Sequence, residues 1–123
     1  MASVLVVDDD EHVRDMLLSF LEARGYDAHG AENGARGLIL ARSLKPQVVL
    51  LDIVMPGMSG IATLKELRKQ MPEINVIMIS GNTDHDTAVK ALEMGAVDFV
   101  EKPFDMDYLQ KVLTLKLATS SEG

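Results

Sequence analysis

Cysteine is absent from the 123 residues. That excludes a disulfide framework and any thiolate metal centre, and it suits a reducing compartment such as the cytoplasm. Long apolar runs are missing too. The longest, such as VVLL at 48–51, fall far short of the ~20 residues that span a bilayer. The N-terminus carries neither a basic lead-in nor an extended apolar stretch, so neither a secretion signal nor a membrane anchor is expected. Positive charge is in short supply, with 12 Lys and Arg against 19 Asp and Glu for a net charge of −7. Holding a nucleic-acid backbone depends on Lys and Arg neutralising phosphates. Direct nucleic-acid binding by this chain is therefore not expected, and any DNA role would belong to another domain.

What is present is enough apolar sequence for one core: 47% hydrophobic residues against 25% charged, in a length that fits a single domain. Five short runs read as strands: SVLVVD at 3–8, YDAHGA at 26–31, QVVLLD at 47–52, NVIMIS at 75–80 and VDFVE at 97–101. Helical spacing lies between them, as in Val13, Leu17, Phe20 and Leu21, or Ile61, Leu64, Leu67 and Met71. Asn33 and Asp105 stand where helices would be capped, as does Thr83 with Asp86. Gly25 and Gly95 stand where helices would end, and Pro46 and Pro72 just beyond helix ends. Strands alternating with helices imply right-handed crossovers and an α/β fold, a parallel sheet covered on both faces. VVLL and VIMI are apolar at every position, as buried central strands should be, and the more polar YDAHGA suits an edge. Residues 1–118 form the expected domain, and 119–123 a polar tail or the start of a linker.

Ligands of an open parallel sheet bind at the carboxyl ends of its strands. The first strand delivers Asp8 and Asp9 there, the third Asp52, the fourth Ser80, and Lys102 follows the fifth. Each alone has an ordinary explanation: a helix cap or dipole partner for the first acids, a turn residue before MPGMSG for Asp52, a turn former for Ser80, a solvated lysine for Lys102. Asp10 is best read as a cap, and Lys102 precedes Pro103, where a cis peptide could aim a side chain. The convergence of these groups on one edge is more specific than any one of them. Two like charges ~4 Å apart at an effective dielectric of 20 repel by about 4 kcal/mol, so Asp8, Asp9 and Asp52 need a counter-charge. Mg2+ suits an all-oxygen set better than zinc, with Mn2+ a possible substitute. With Mg2+ and Lys102 the formal charge sums to zero, and Asp52 is the best-placed carboxylate to act as nucleophile toward a phosphoryl group.

The motifs VVDDD, VVLLDIVMPGMSG, VIMISG and DFVEKPF, in this order and spacing, resemble the receiver domain of bacterial two-component response regulators over residues 3 to about 117. The resemblance implies a flavodoxin-like (βα)5 fold with strand order 2-1-3-4-5. It implies that Asp52 is the phosphoacceptor and that Asp8 and Asp9 bind Mg2+ together with Asp52 and the main-chain carbonyl of Val54. It makes Ser80 the switch hydroxyl, Lys102 the site lysine and Phe99 the aromatic that turns on activation. The implied donor is the phosphohistidine of a sensor histidine kinase. The implied response is a rearrangement of the helix 4, strand 5 and helix 5 face, which meets an output domain, a partner or a second copy in a homodimer. The run ISGNTDHDTAVKALEMGAVDFVEKPF looks most like receivers attached to sigma-54-dependent transcriptional activators.

Some positions depart from the family's pattern. Gly81 and Gly37 stand where alanine is usual, and Val54 brings no polar group beside Asp52 whereas Asn82 does; attack of water on an aspartyl phosphate is expected to depend on Val54 and Asn82. Three rivals are weaker. The D-x-D spacing of Asp8 and Asp10 resembles the haloacid dehalogenase phosphatases, but His12 stands where that motif has Thr or Val, and the chain is short for a cap domain. An FMN phosphate would meet an acidic loop instead of a Gly- and Thr-rich one. A receiver degenerate in its chemistry would not keep the complete set of acids, hydroxyl and lysine.

Overall fold

In the computed structural model, residues 2–55, 57–81, 85–102 and 105–122 are described, with side chains for all of them but His85 and 118–122. Pro56, Asn82, Thr83, Pro103 and Phe104 lie outside the described residues, and with them the Thr83 capping box, the Asn82 expectation and the peptide before Pro103. Five strands, β1 (Ser3–Val7), β2 (Asp27–Ala31), β3 (Val48–Asp52), β4 (Asn75–Ser80) and β5 (Asp98–Glu101), alternate with five helices. The helices are α1 (Glu11–Ala23), α2 (Gly34–Leu44), α3 (Gly60–Gln70), α4 (His85–Glu93) and α5 (Met106–Glu122). All strand pairs are parallel, and the order across the sheet is β2-β1-β3-β4-β5. The α/β reading of the sequence and its implied strand order both hold.

The pleat sorts the apolar runs onto two faces. Leu5, Val7, Val49, Leu51, Val76 and Met78 pack with Leu38 and Ala41 of α2, Leu64 and Leu67 of α3 and Ala91 of α4. Val4, Val6, Val48, Leu50, Ile77 and Ile79 face the other way, onto Leu17 and Leu21 of α1 and Leu109, Val112 and Leu113 of α5. Because both faces are covered, β1, β3 and β4 can carry unbroken apolar stretches at Val4–Val7, Val48–Leu51 and Val76–Ile79, each buried Val, Leu or Ile contributing roughly 1.5–3 kcal/mol. β2, bonded only to β1, is the more open strand, with Asp27 exposed.

Helix ends follow local chemistry. The Asp10 carboxylate accepts from the backbone N–H of His12 (2.9 Å) and Val13 (3.3 Å), Asn33 accepts from Arg36 (2.8 Å), and Asp105 accepts from Tyr108 (3.1 Å), caps worth about 1 kcal/mol each. Gly25 and Gly95 have φ of 86° and 108°, the left-handed conformation their places after α1 and α4 require. The end of α2 differs from that pattern: Lys45, without the freedom of glycine, takes the left-handed cap at φ 48° before Pro46. Gly37 has a packing reason that outweighs its helix propensity. A Cβ there would stand 2.9 Å from Val7 Cγ2, so its absence lets α2 lie close on β1.

Candidate phosphoryl-transfer site

At the carboxyl edge of the sheet the chain leaves β1 into Asp8 and Asp9, β3 closes on Asp52, β4 on Ser80, and Lys102 follows β5. The structure thus brings together five of the seven residues singled out above, from four strands, and the peptide of Val54 joins them. Asp9, Asp10, Asp52, Val54, Ser80, Gly81 and Lys102 line a cleft of about 480 Å³. Phe99 lies elsewhere: it is half-buried on β5 and packs against the core face beneath α2, α3 and α4.

The acids are unequal. Asp8 is wholly buried, Asp52 is 4% exposed and Asp9 is exposed. Asp8 Oδ1 accepts from the backbone N–H of Asp10 at 2.9 Å. Asp8 Oδ2 is buried without a hydrogen bond of regular geometry and faces the Lys102 ammonium at 3.1 Å as an ion pair. The same ammonium lies 3.5 Å from Asp52 Oδ2. Lys102 therefore pairs with both buried carboxylates, Asp8 as well as Asp52. Among the described residues, Asp8, Asp9 and Asp52 each offer an oxygen within 4.8 Å of the others.

These contacts set the charge states. Burial, then the neighbouring Asp8 charge, pushes the Asp52 carboxyl from 3.8 up to about 6; Lys102 and a hydrogen bond from the Val54 backbone N–H pull the other way, and Asp9 adds to the rise. For Lys102, burial pulls the ammonium down, but the Asp8 and Asp52 carboxylates outweigh it and leave the group above its ordinary value. At neutral pH Asp52 is ionised, more basic than a free aspartate, and held beside a protonated lysine.

The donors fit Mg2+. They are hard carboxylate oxygens, they converge, and a buried Asp8 oxygen lacks a regular hydrogen-bond donor. No histidine or cysteine is among them, so nothing favours zinc.

Two features escaped the sequence reading. Ser59 caps α3 by accepting from Ala62 N–H at 3.1 Å, which fixes the helix beside Asp52; the S-G pair in MPGMSG was the available signal. Arg14 donates from its guanidinium to the Asp8 main-chain carbonyl at 2.8 Å, and no motif or spacing announced it.

Residues 4–114 match the family described as response regulator receiver domain. The chain is 42% identical over 118 residues to the regulatory protein AtoC of Escherichia coli, covering 96% of this chain and 26% of that protein. It is 38% identical over 120 residues to PilH of Pseudomonas aeruginosa, covering 96% of this chain and 99% of PilH. The crystal structure of the receiver domain of NtrX from Brucella abortus superposes with a TM-score of 0.89 at 40% identity, covering 94% of this chain and 98% of that one. The chain thus spans about a quarter of AtoC but nearly all of PilH. Among the described residues no helix is long and apolar enough to cross a membrane.

Proposed function

Because the chain belongs to the response regulator receiver domain family, a family of signalling domains, we propose that it works in the cytoplasm, taking a phosphoryl group from the phosphohistidine of a sensor histidine kinase onto Asp52. The observation that carries this is the pairing of a buried, ionised Asp52 carboxylate with the Lys102 ammonium at 3.5 Å, at the mouth of an acid-lined cleft. An Asp52 oxygen attacks phosphorus, the P–N bond breaks, and the imidazole leaves with the electron pair and picks up a proton. Lys102 holds the carboxylate and pairs with an oxygen of the incoming group, and the Ser80 hydroxyl donates to another. Asp8, Asp9, Asp52 and the Val54 carbonyl would hold Mg2+, which neutralises charge on the transferring group when bound. Hydrolysis of the adduct would follow from a water whose approach depends on Val54, 70% exposed at the cleft, and on Asn82.

Phosphorylation adds about −1.5 to −2 of charge, by analogy with phosphoserine. To carry the domain from mostly inactive to mostly active, the adduct must favour the active state by ~5.5 kcal/mol. In this reading Ser80 and Phe99 transmit the change to the face of α4, β5 and α5, which acts on an output domain controlling transcription, on a partner or on a second copy. Likeness to AtoC and to the NtrC regulators described as DNA-binding transcriptional regulators supports the transcriptional output.

Incubation with acetyl phosphate and Mg2+ should add the mass of one phosphoryl group to the intact chain. Asp52→Asn or EDTA should abolish the gain; a full-sized adduct in Asp52→Asn would overturn the assignment. Ser80→Ala should acquire the adduct at a rate within about fivefold of wild type yet lose the adduct-dependent change in the amide spectra of α4 and β5. Retention of that change in Ser80→Ala would remove Ser80 from the switch.

A further inference from the structure

The segment 8–10 is gripped from α1 at several points. Arg14 N–H donates to the Asp10 carbonyl at 2.9 Å, closing the first turn of the helix. The guanidinium of the same residue folds back to the Asp8 carbonyl at 2.8 Å. Asp10 N–H in turn donates to Asp8 Oδ1. Asp9 stands between these two fixed neighbours in the chain.

A second, independent feature makes room for this grip. Gly30 of β2 pairs with Val6 of β1, and a Cβ at Gly30 would stand 3.2 Å from both Cγ and Cδ of Arg14 and 3.1 Å from Leu18 Cδ1. A side chain at this position would oblige the Arg14 stem or Leu18 to give by a few tenths of an ångström, so glycine leaves the stem room to lie across the edge strand and reach the end of β1. The half-buried Arg14 is thus seated on one side and hydrogen-bonded on the other.

We infer that Arg14 is a positioning residue for the cation site: seated on Gly30, it fixes the Asp8 carbonyl and so holds the Asp8–Asp9 acids in the arrangement that binds the divalent ion. This rests on the reading of the acids given under the proposed function. Charge and position make opposite predictions. A guanidinium near the site repels a cation, so loss of its charge alone would tighten binding, whereas loss of its grip on Asp8 should loosen it. Outer partners that orient metal ligands typically alter affinity by 10- to 100-fold.

The test is calorimetric titration of the EDTA-treated, dialysed chain with Mg2+, each variant first shown to be folded by circular dichroism. Arg14→Ala should bind about tenfold more weakly. Arg14→Lys, which keeps the charge and much of the reach, should recover part of that loss. Gly30→Ala, which crowds the Arg14 stem while leaving every acid in place, should weaken binding by about threefold. Arg24→Ala removes one positive charge from the C-terminal cap of the same helix, at a residue whose guanidinium stacks over Phe20 and donates to its carbonyl. It should bind as wild type does. Equal or tighter binding by Arg14→Ala would overturn the inference, as would a loss equally large in Arg24→Ala. If Arg14→Ala does not fold, Arg14→Lys and Gly30→Ala decide, and unchanged affinity in both overturns it. Wild-type protein that takes up no Mg2+, or binds it equally well as Asp52→Asn, would instead sink the reading of the acids, and the inference with it.

Discussion

Gly60→Ala is expected to lower the stability of the domain by about 3 kcal/mol or more, the upper end of what overpacking costs, and to reduce phosphoryl uptake at Asp52. Gly60 is the first residue of α3, and its N–H donates to the Ile53 carbonyl at 2.8 Å. A Cβ at this position would overlap the main-chain carbonyl oxygen of Asp52 and stand 2.5 Å from Ile53 Cα. Those atoms are backbone at the end of a buried strand, so no side-chain rotation relieves the collision. Either α3 lifts off or the Asp52 peptide moves, and both outcomes displace the nucleophile. For a domain of this size the melting temperature should fall by roughly 10 °C. Gly81→Ala serves as the contrast. Among the described residues a Cβ there meets only the Lys102 stem, at 3.6 and 3.9 Å, which is ordinary contact, so its stability should change by less than about 0.5 kcal/mol. A Gly60→Ala protein that melts within about 2 °C of wild type would show that α3 is not seated on β3 in this way.

Asp52→Asn should stabilise the metal-free domain at pH 7.5. The Asp52 carboxyl is raised to about 6 by burial and by Asp8, against 3.8 for an ordinary aspartate. Below about pH 3.8 the folded and unfolded chains both carry this proton. Between about 3.8 and 6 the folded protein keeps a proton that the unfolded chain has released, so stability falls as the pH rises. Above that window the loss is complete. Asparagine has no such proton to hold. Urea denaturation in EDTA should therefore show Asp52→Asn more stable than wild type at pH 7.5, with the two curves converging toward pH 4. Millimolar Mg2+ should close the gap from the wild-type side, because an ion bound only by the folded state stabilises it by mass action. Parallel curves from pH 4 to pH 8 would mean that Asp52 is not strained by its neighbours.

Much of the architecture could be read from residue order because the signals were redundant. Runs such as VVLL and VIMI are apolar throughout only where helices cover both sides, and the acids, Ser80 and Lys102 all fall at strand ends. What could not be read depends on distances between segments far apart in the chain. Asp8 and Asp9 look alike in VVDDD, yet one is buried and paired with Lys102 while the other is exposed. Arg14 resembles any helix-surface arginine until Gly30, sixteen positions later, is found beneath it. The cap of α2 was hidden for a different reason. Proline at 46 marks where the helix must stop, but a lysine gives no notice that it will take a left-handed φ.

The reach of Lys102 has a consequence for how the domain comes apart. In the order β2-β1-β3-β4-β5, the strand that precedes Lys102 is separated from β1 by three strand spacings, roughly 14 Å at the sheet. The cation that neutralises Asp8 and Asp52 is thus supplied by the last strand of the chain to acids delivered by the first and third. If β5 and α5 detach, two buried carboxylates lose their shared partner together. The cluster therefore couples the two ends of the chain energetically. Local opening of the C-terminal quarter should be nearly as rare as global unfolding when the acids are ionised, a cooperativity that amide hydrogen exchange in β5 would report.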